Sequence, residues 1–287
     1  MKKLSFNNIK VDVIVTSPPY NVGKKYNVYN DNREPQEFLN WIHEDVAKPS
    51  YNILKDDGSF FLNVGGKASD SIFPLKILLE FIAAGYELQN WIIWAKSVSI
   101  PKTAGVIGKQ NGIMNILAEI ANSDGAGAQQ QDYFSIGHFQ SINSPLYLNN
   151  LHESIFHLTK TGQVKIDRFG VTVPYQDKSN IDRWRHTEGK DRRDMGNLWL
   201  LTYETIRTHR DHPSPFPIEL PGRCIKVHGI KSKENMIVYD PFMGIGTTAL
   251  ACIKLGVHYL GTEIDPEYIK IANENISTIT SQKTLFD

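Results

Sequence analysis

A chain of 287 residues with 31 basic and 31 acidic side chains carries no net charge at neutral pH. That excludes a polycation coating nucleic acid and leaves room only for a local basic face balanced elsewhere. The length suits one large domain with insertions, and no run of 18 apolar residues is present to span a bilayer.

The opening residues, Met1-Lys2-Lys3-Leu4-Ser5-Phe6, lack the apolar core of a secretion signal, so a cytoplasmic location without membrane association is expected. The run Val11-Asp12-Val13-Ile14-Val15 reads as a buried parallel strand and must stop at Ser17, because Pro18 and Pro19 have no N–H for a ladder. Thr16-Ser17-Pro18-Pro19-Tyr20 is then a rigid turn at the carboxyl end of a strand, the edge where open α/β sheets bind ligands. Taken alone, such a turn is as often purely structural.

Pro35 to Tyr51 reads as a helix with Phe38, Ile42, Val46 and Trp41 inward. Leu54 to Gly58 is a predicted turn, Ser59 to Val64 a buried strand, Ser71 to Ala84 a helix closed by Gly85, and Leu88 to Trp94 a strand whose Trp91 and Trp94 belong to the core. Glu153 to Lys160 is a further strand. Two insertions interrupt the alternation. Residues 102–150 are rich in Gly, Asn, Gln and Ser, whereas 161–211 hold Arg183, Trp184, Arg185, Lys190, Arg192 and Arg193, a mixture of cations and an aromatic ring typical of nucleic-acid surfaces. Acids are interleaved there, so an ordinary salt-bridged surface weighs equally. Cys224 and Cys252 lie far apart in apolar helical contexts and are expected as buried free thiols, and the nine histidines show no ligand spacing, so no metal site is expected.

Met236 to Asp240 is another apolar strand, running into Pro241-Phe242-Met243-Gly244-Ile245-Gly246-Thr247 and a helix that ends near Gly256. Glycines let backbone approach a ligand, and a helix start offers free N–H groups. Val257 to Gly261 then ends at Glu263, an acid placed where mononucleotide-binding units hold ribose hydroxyls. This is a nucleoside site but not the dinucleotide fingerprint, because Ala249 occupies the third glycine position.

"TSPPY", then "HPSPFPIELPGRCI" at 212–225, then "DPFMGIGTT", in that order, resemble the permuted beta class of amino-methylating DNA methyltransferases. The resemblance covers almost the whole chain. It implies an α/β, Rossmann-like fold with a mixed seven-stranded sheet, the 153–160 strand antiparallel to its neighbour. It implies S-adenosylmethionine as cofactor, held by Asp240, Pro241, Phe242, Gly244, Gly246 and Thr247, with Glu263 on the ribose. Pro213, Phe216 and Pro217 would wall its methionine end. Ser17, Pro18, Pro19 and Tyr20 would hold the target base. On this plan residues 1–101 are the catalytic half, 102–211 the target-recognition insertions around one sheet strand, and 212–287 the cofactor half. One strand departs from the pattern: the Gly-Asp strand that usually precedes the Pro-Pro strand has only Met1 to Lys10 available, and Asn7, Asn8 or a C-terminal edge from Ser277 to Phe286 are the candidate replacements at the adenine pocket.

The implied substrate is double-stranded DNA whose target base is flipped from the stack. Tyr20 would stack on it, while Ser17 Oγ and the Pro18 carbonyl accept the amino hydrogens and aim the nitrogen lone pair at the methyl group. Arg183, Arg185, Lys190, Arg192 and Arg193 would meet phosphates. The resemblance also implies cytosine-N(4) over adenine-N(6), since serine at the Ser17 position is usual for cytosine in that family and aspartate for adenine; a hydroxyl can moreover turn and donate to the neighbouring ring nitrogen, which a carboxylate cannot. Adenine-N(6) methylation, methylation of RNA or protein amides, a nucleotide-dependent oxidoreductase and a non-catalytic DNA-binding module are the rival readings. A cognate restriction endonuclease and a second copy of the chain are the protein partners left open.

Overall fold

The computed structural model describes residues 9–101, 133–139, 141–175, 191–202 and 215–283. In chain order these form β1 (Val11–Thr16), a helix α1 over 35–53, β2 (Leu54–Val64), α2 (Phe73–Ala83), β3 (Glu87–Ala95), β4 (Ser97–Pro101), β5 (Tyr133–Gly137) and β6 (His152–Thr159). There follow β7 (Thr172–Pro174), β8 (Arg192–Asp194), β9 (Leu198–Leu200), α3 (Glu219–His228), β10 (Ile237–Asp240), α4 (Thr247–Leu255), β11 (His258–Gly261) and α5 (Pro266–Lys283).

β1 is apolar on both faces because it lies inside a seven-stranded sheet of order β11-β10-β1-β2-β6-β3-β9. Every neighbouring pair is parallel except those made by β6, which runs against both β2 and β3. On one face Phe38 and Ile42 of α1 and Phe81 of α2 pack on Ile14, Phe60 and Leu62. On the other, Leu220 and Cys224 of α3 and Cys252 of α4 pack on Val13, Val15 and Val238. Both cysteines are buried and free.

The differences from the sequence reading have physical causes. α1 passes Pro49, as the sequence reading has it, but does so through a π-helical stretch, Ile42–Ala47, whose wider turn accommodates a residue without an N–H. The expected turn at 54–58 is instead a bulge within β2: Leu54 pairs with Val11 but Ser59 with Val13. Gly58 is required there, since a Cβ would stand 2.9 Å from the Asp12 carbonyl oxygen. Trp94 is buried as expected, whereas Trp91 is 42% exposed, its Nε1 donating to Ser154 Oγ at 3.1 Å. The seventh strand is β9, beside β3. At the opposite edge no described strand lies beyond β11; the stretch from Ser277 is helical through Lys283, and Asn7 and Asn8 lie outside the described residues.

Beneath the sheet, Ser59 Oγ lies 2.9 Å from both His157 Nε2 and His228 Nδ1. Asn90 Nδ2 donates to His157 Nδ1 at 2.9 Å, so His157 carries its proton on Nε2 and gives it to Ser59, which in turn donates to His228. Burial pushes His157 down to about 3 and His228 down to about 4, and pushes the Asp240 carboxyl up to about 6. Between pH 6 and 4.5 unfolding therefore takes up two protons at the histidines and releases one from Asp240. Stability should fall by about 1.4 kcal/mol for each unit that the pH is lowered. The depressed histidines account for the loss on acidification, and the raised Asp240 opposes it. Urea titrations should show the slope nearly abolished in His157→Gln; an unchanged slope would remove His157 from the account.

Candidate active site

Ser17–Tyr20 and Pro241–Thr247 leave the carboxyl ends of β1 and β10, which are adjacent parallel strands, so both turns open on one cavity. Its volume is about 1410 Å³, above the roughly 300–1,000 Å³ usual for a single small-molecule site. The space suits two ligands side by side.

At the glycine-turn end, Pro241, Phe242, Gly244 and Thr247 line the cavity together with Phe216 and Glu263, while Pro213 lies outside the described residues. Asp240 does not line it. Its carboxylate is 1% exposed and accepts from Thr16 Oγ1 at 2.7 Å, Thr248 Oγ1 at 2.6 Å and the Phe242 N–H at 3.0 Å. Asp240 is therefore a clamp joining β1, the turn and α4. Gly246 is also absent from the lining. With φ at 91° it caps α4, and a Cβ would stand 3.1 Å from that of Ala272, so its glycine makes room for α5.

Glu263 is turned back toward the loop. Its Oε2 accepts the Gly244 N–H at 2.7 Å, and its Oε1 accepts those of Ile264 and Asp265 at 2.8 and 3.0 Å. One acceptor position of the carboxylate is left. Next to it Asp265, 2% exposed, caps α5 through Oδ1 on the Glu267 N–H, while its Oδ2 is buried with no partner among the described residues. Burial, then the neighbouring Asp265 and Glu263, pushes the Tyr268 hydroxyl up, keeping it a neutral donor. This end thus offers spare carboxylate acceptors, glycine backbone, a helix start and, in Ile264 at 72% exposure, an apolar face. These groups fit an adenosine bearing vicinal hydroxyls.

At the other end, Ser17 Oγ lies 2.6 Å from Tyr20 Oη, which donates to Glu153 Oε2 at 2.9 Å. Asn63 Nδ2 reaches the same two groups, and Lys96 Nζ pairs with Glu153 Oε1. Pro18 and Pro19 line the cavity beside them. The loop after Tyr20 is gathered by Asp31, which is buried and accepts the N–H groups of Asn21, Val22 and Lys24. That loop carries Arg33 over the rings of Tyr29 and Trp41, 5.0 and 4.9 Å from their centroids, and Trp41 meets Phe242 edge-on at 5.8 Å. An aromatic wall therefore links the two ends.

The sequence reading missed Asn63, Lys96, Glu153, Asp31 and Asp265. The available signal was a polar residue inside an apolar strand, as in Phe60-Phe61-Leu62-Asn63-Val64. Of the proposed DNA contacts, Arg183, Arg185 and Lys190 lie outside the described residues. Arg192 and Arg193 are exposed on β8, away from the cavity lining; the Arg192 guanidinium donates to Thr172 Oγ1 and O at 2.8 and 2.9 Å, and Arg193 donates to the Asp194 carbonyl. Among the described residues no cluster of three His, Cys, Asp or Glu could hold a metal ion, and no helix is long and apolar enough to cross a membrane.

Residues 11–274 match the DNA methylase family designated N6_N4_Mtase. The type II methyltransferase M.BglII of Bacillus subtilis is 27% identical over 277 residues, covering 93% of this chain and 64% of its own length, so the chain spans under two thirds of that relative. The orphan methyltransferase M.BamHII of Bacillus amyloliquefaciens is 28% identical, with 96% and 91% covered. Among solved structures, the PvuII DNA methyltransferase, named as cytosine-N4-specific, superposes with a TM-score of 0.58 at 18% identity, covering 95% of this chain and 85% of that one. A Thermus thermophilus protein described as a "putative DNA modification methylase", complexed with S-adenosyl-L-methionine, gives 0.53 at 20% identity, covering 96% and 90%. With the match running from β1 into α5, the chain belongs to the N6/N4 DNA methylase family, whose methyl donor is S-adenosylmethionine.

Proposed function

We propose that this chain methylates the exocyclic amino group of cytosine, at N(4), in a base flipped out of duplex DNA. The observation that carries the reading is the single cavity shared by the Ser17–Tyr20 turn and the glycine turn with Glu263. A non-catalytic DNA-binding module would need no such union.

Glu263, Asp265, the Gly244 backbone, Phe242, Thr247 and Phe216 would hold the cofactor. S-adenosylmethionine, when bound, supplies a methyl group on a positively charged sulfur. Flipping a base costs roughly a few kcal/mol, and stacking on Tyr20, worth roughly 1–3 kcal/mol, offsets much of that. Ser17 Oγ and the Pro18 carbonyl would then accept the two amino hydrogens, concentrating lone-pair density on a nitrogen that ring delocalisation otherwise makes a poor nucleophile. Positioning of this kind needs no covalent enzyme intermediate. On this division residues 1–101 handle the base, 102–211 the DNA and 212–287 the cofactor. Arg183, Arg185, Lys190, Arg192 and Arg193 would lie against phosphates. Neutralising them should flatten the salt dependence of DNA affinity by about 0.9 in log–log slope for each phosphate left without its cation. Names such as type II methyltransferase among the relatives support service beside a restriction endonuclease.

Calorimetry tests the cofactor half directly. The wild-type protein should bind S-adenosylmethionine, and Glu263→Ala should weaken it by roughly tenfold or more, since the change removes an acceptor and frees the Gly244 turn. Unchanged affinity in the variant would take Glu263 out of the site, and no binding to the wild type would favour the non-catalytic module.

A further inference from the structure

The polar atoms behind the Pro-Pro-Tyr turn form a chain whose direction one carboxylate sets. Glu153 is 9% exposed and Asn63 is 2% exposed. The two come from neighbouring antiparallel strands, β6 and β2. Paired with Lys96 through Oε1, the Glu153 carboxylate only accepts. Its Oε2 takes the Tyr20 hydroxyl hydrogen at 2.9 Å and one amide hydrogen of Asn63 at 2.6 Å.

A phenol has one hydrogen and two acceptor positions. With its hydrogen given to Glu153, Tyr20 Oη accepts the second Asn63 amide hydrogen at 2.9 Å and the Ser17 hydroxyl at 2.6 Å. Asn63 Nδ2 also lies 3.3 Å from Ser17 Oγ, but no third amide hydrogen remains for that contact. The Asn63 amide cannot be turned round, because its oxygen would then face the carboxylate. The consequence is visible in Asn63 Oδ1, buried without a partner among the described residues. Ser17 is left with its hydrogen directed at Tyr20 and its lone pairs available to the cavity.

We propose that Glu153, anchored by Lys96, is a positioning residue that fixes Ser17 as a hydrogen-bond acceptor for the amino group of the target base and bars it from donating. This rests on the reading of the turn as an amino-methylation site. It also replaces the idea that Ser17 turns to donate to a ring nitrogen. The turn selects a base that brings N–H donors, and the selection is imposed by a residue two hydrogen bonds away from Ser17 and three from the base.

Fluorescence anisotropy without methyl donor tests this. The duplexes carry either the target base, mapped by methylation-sensitive sequencing, or its amino-free counterpart, pyrimidin-2-one for cytosine or purine for adenine. The wild-type protein should prefer the amino-bearing duplex by about three- to tenfold, the worth of one hydrogen bond. Glu153→Gln and Tyr20→Phe should each remove most of that preference, and the double variant should lose no more than either single one, because all three break the same chain. An undiminished preference in both single variants, or losses that multiply in the double, would overturn the proposal. Tyr20→Phe keeps the ring and decides the matter alone if Glu153→Gln does not fold. Wild-type protein that puts no methyl group on any DNA amino nitrogen would instead refute the functional reading beneath it.

Discussion

Ser17→Ala is expected to lower the rate constant for methyl transfer about a hundredfold or more while leaving S-adenosylmethionine affinity within about twofold. The hydroxyl lies at the base end of the cavity, and its lone pairs matter most as the amino nitrogen pyramidalises; removing one preorganised partner of this kind costs about 10²–10³ in turnover. Tyr20→Ala should behave differently. It removes a stacking surface worth about 1–3 kcal/mol and cuts the link from Ser17 to Glu153. Productive DNA binding and turnover should therefore both fall, by about tenfold or more each. Single-turnover rates with separate DNA and cofactor titrations distinguish the two signatures. Equal effects of both changes on DNA affinity would contradict the assignment of distinct roles.

The second large effect is expected at Asp240. Truncation to alanine strands the Thr16 and Thr248 hydroxyls and the Phe242 N–H, all donors to one buried carboxylate. Leaving a buried donor unpaired costs about 1–3 kcal/mol each, so Asp240→Ala should lose about 3 kcal/mol or more in a urea titration. Asp240→Asn should lose less: the amide oxygen still accepts from Thr16 and Phe242, the Thr248 hydroxyl can rotate to accept, and the burial penalty on the charge disappears. An alanine variant as stable as the wild type would show that the clamp contributes nothing.

Asp240 also marks the boundary of what the sequence discloses. Its place after an apolar strand and before Pro241 was legible, as was the turn after Val15, because apolar runs ending in proline or glycine leave few alternatives. Whether its carboxylate faces a ligand or the protein interior was not legible, since that depends on Thr16, 224 residues away in the chain. The same holds for Glu153, Asn63 and Lys96, which meet only through the registers of β2, β6 and β3. β9 was hidden for another reason: three residues with one buried side chain, Trp199, carry too little pattern to stand out from a charged segment. The base preference read from Ser17 rests on the resemblance, in which serine at this position goes with cytosine; the added argument from a donated hydroxyl does not discriminate, because adenine presents the same acceptor beside its amino group. On the proposal that Glu153 sets the direction of the chain, the inward hydrogen bond to Tyr20 removes that donor in any case.

The measurement that bears most directly on the account is mass spectrometry of nucleosides from duplex DNA incubated with the protein and methyl-labelled S-adenosylmethionine. The account predicts label in 4-methylcytosine. Label in 6-methyladenine would correct the base while keeping the amino-methylation site, whereas 5-methylcytosine, or no labelled base, would contradict the reading of Ser17–Tyr20 and the glycine turn as one active site.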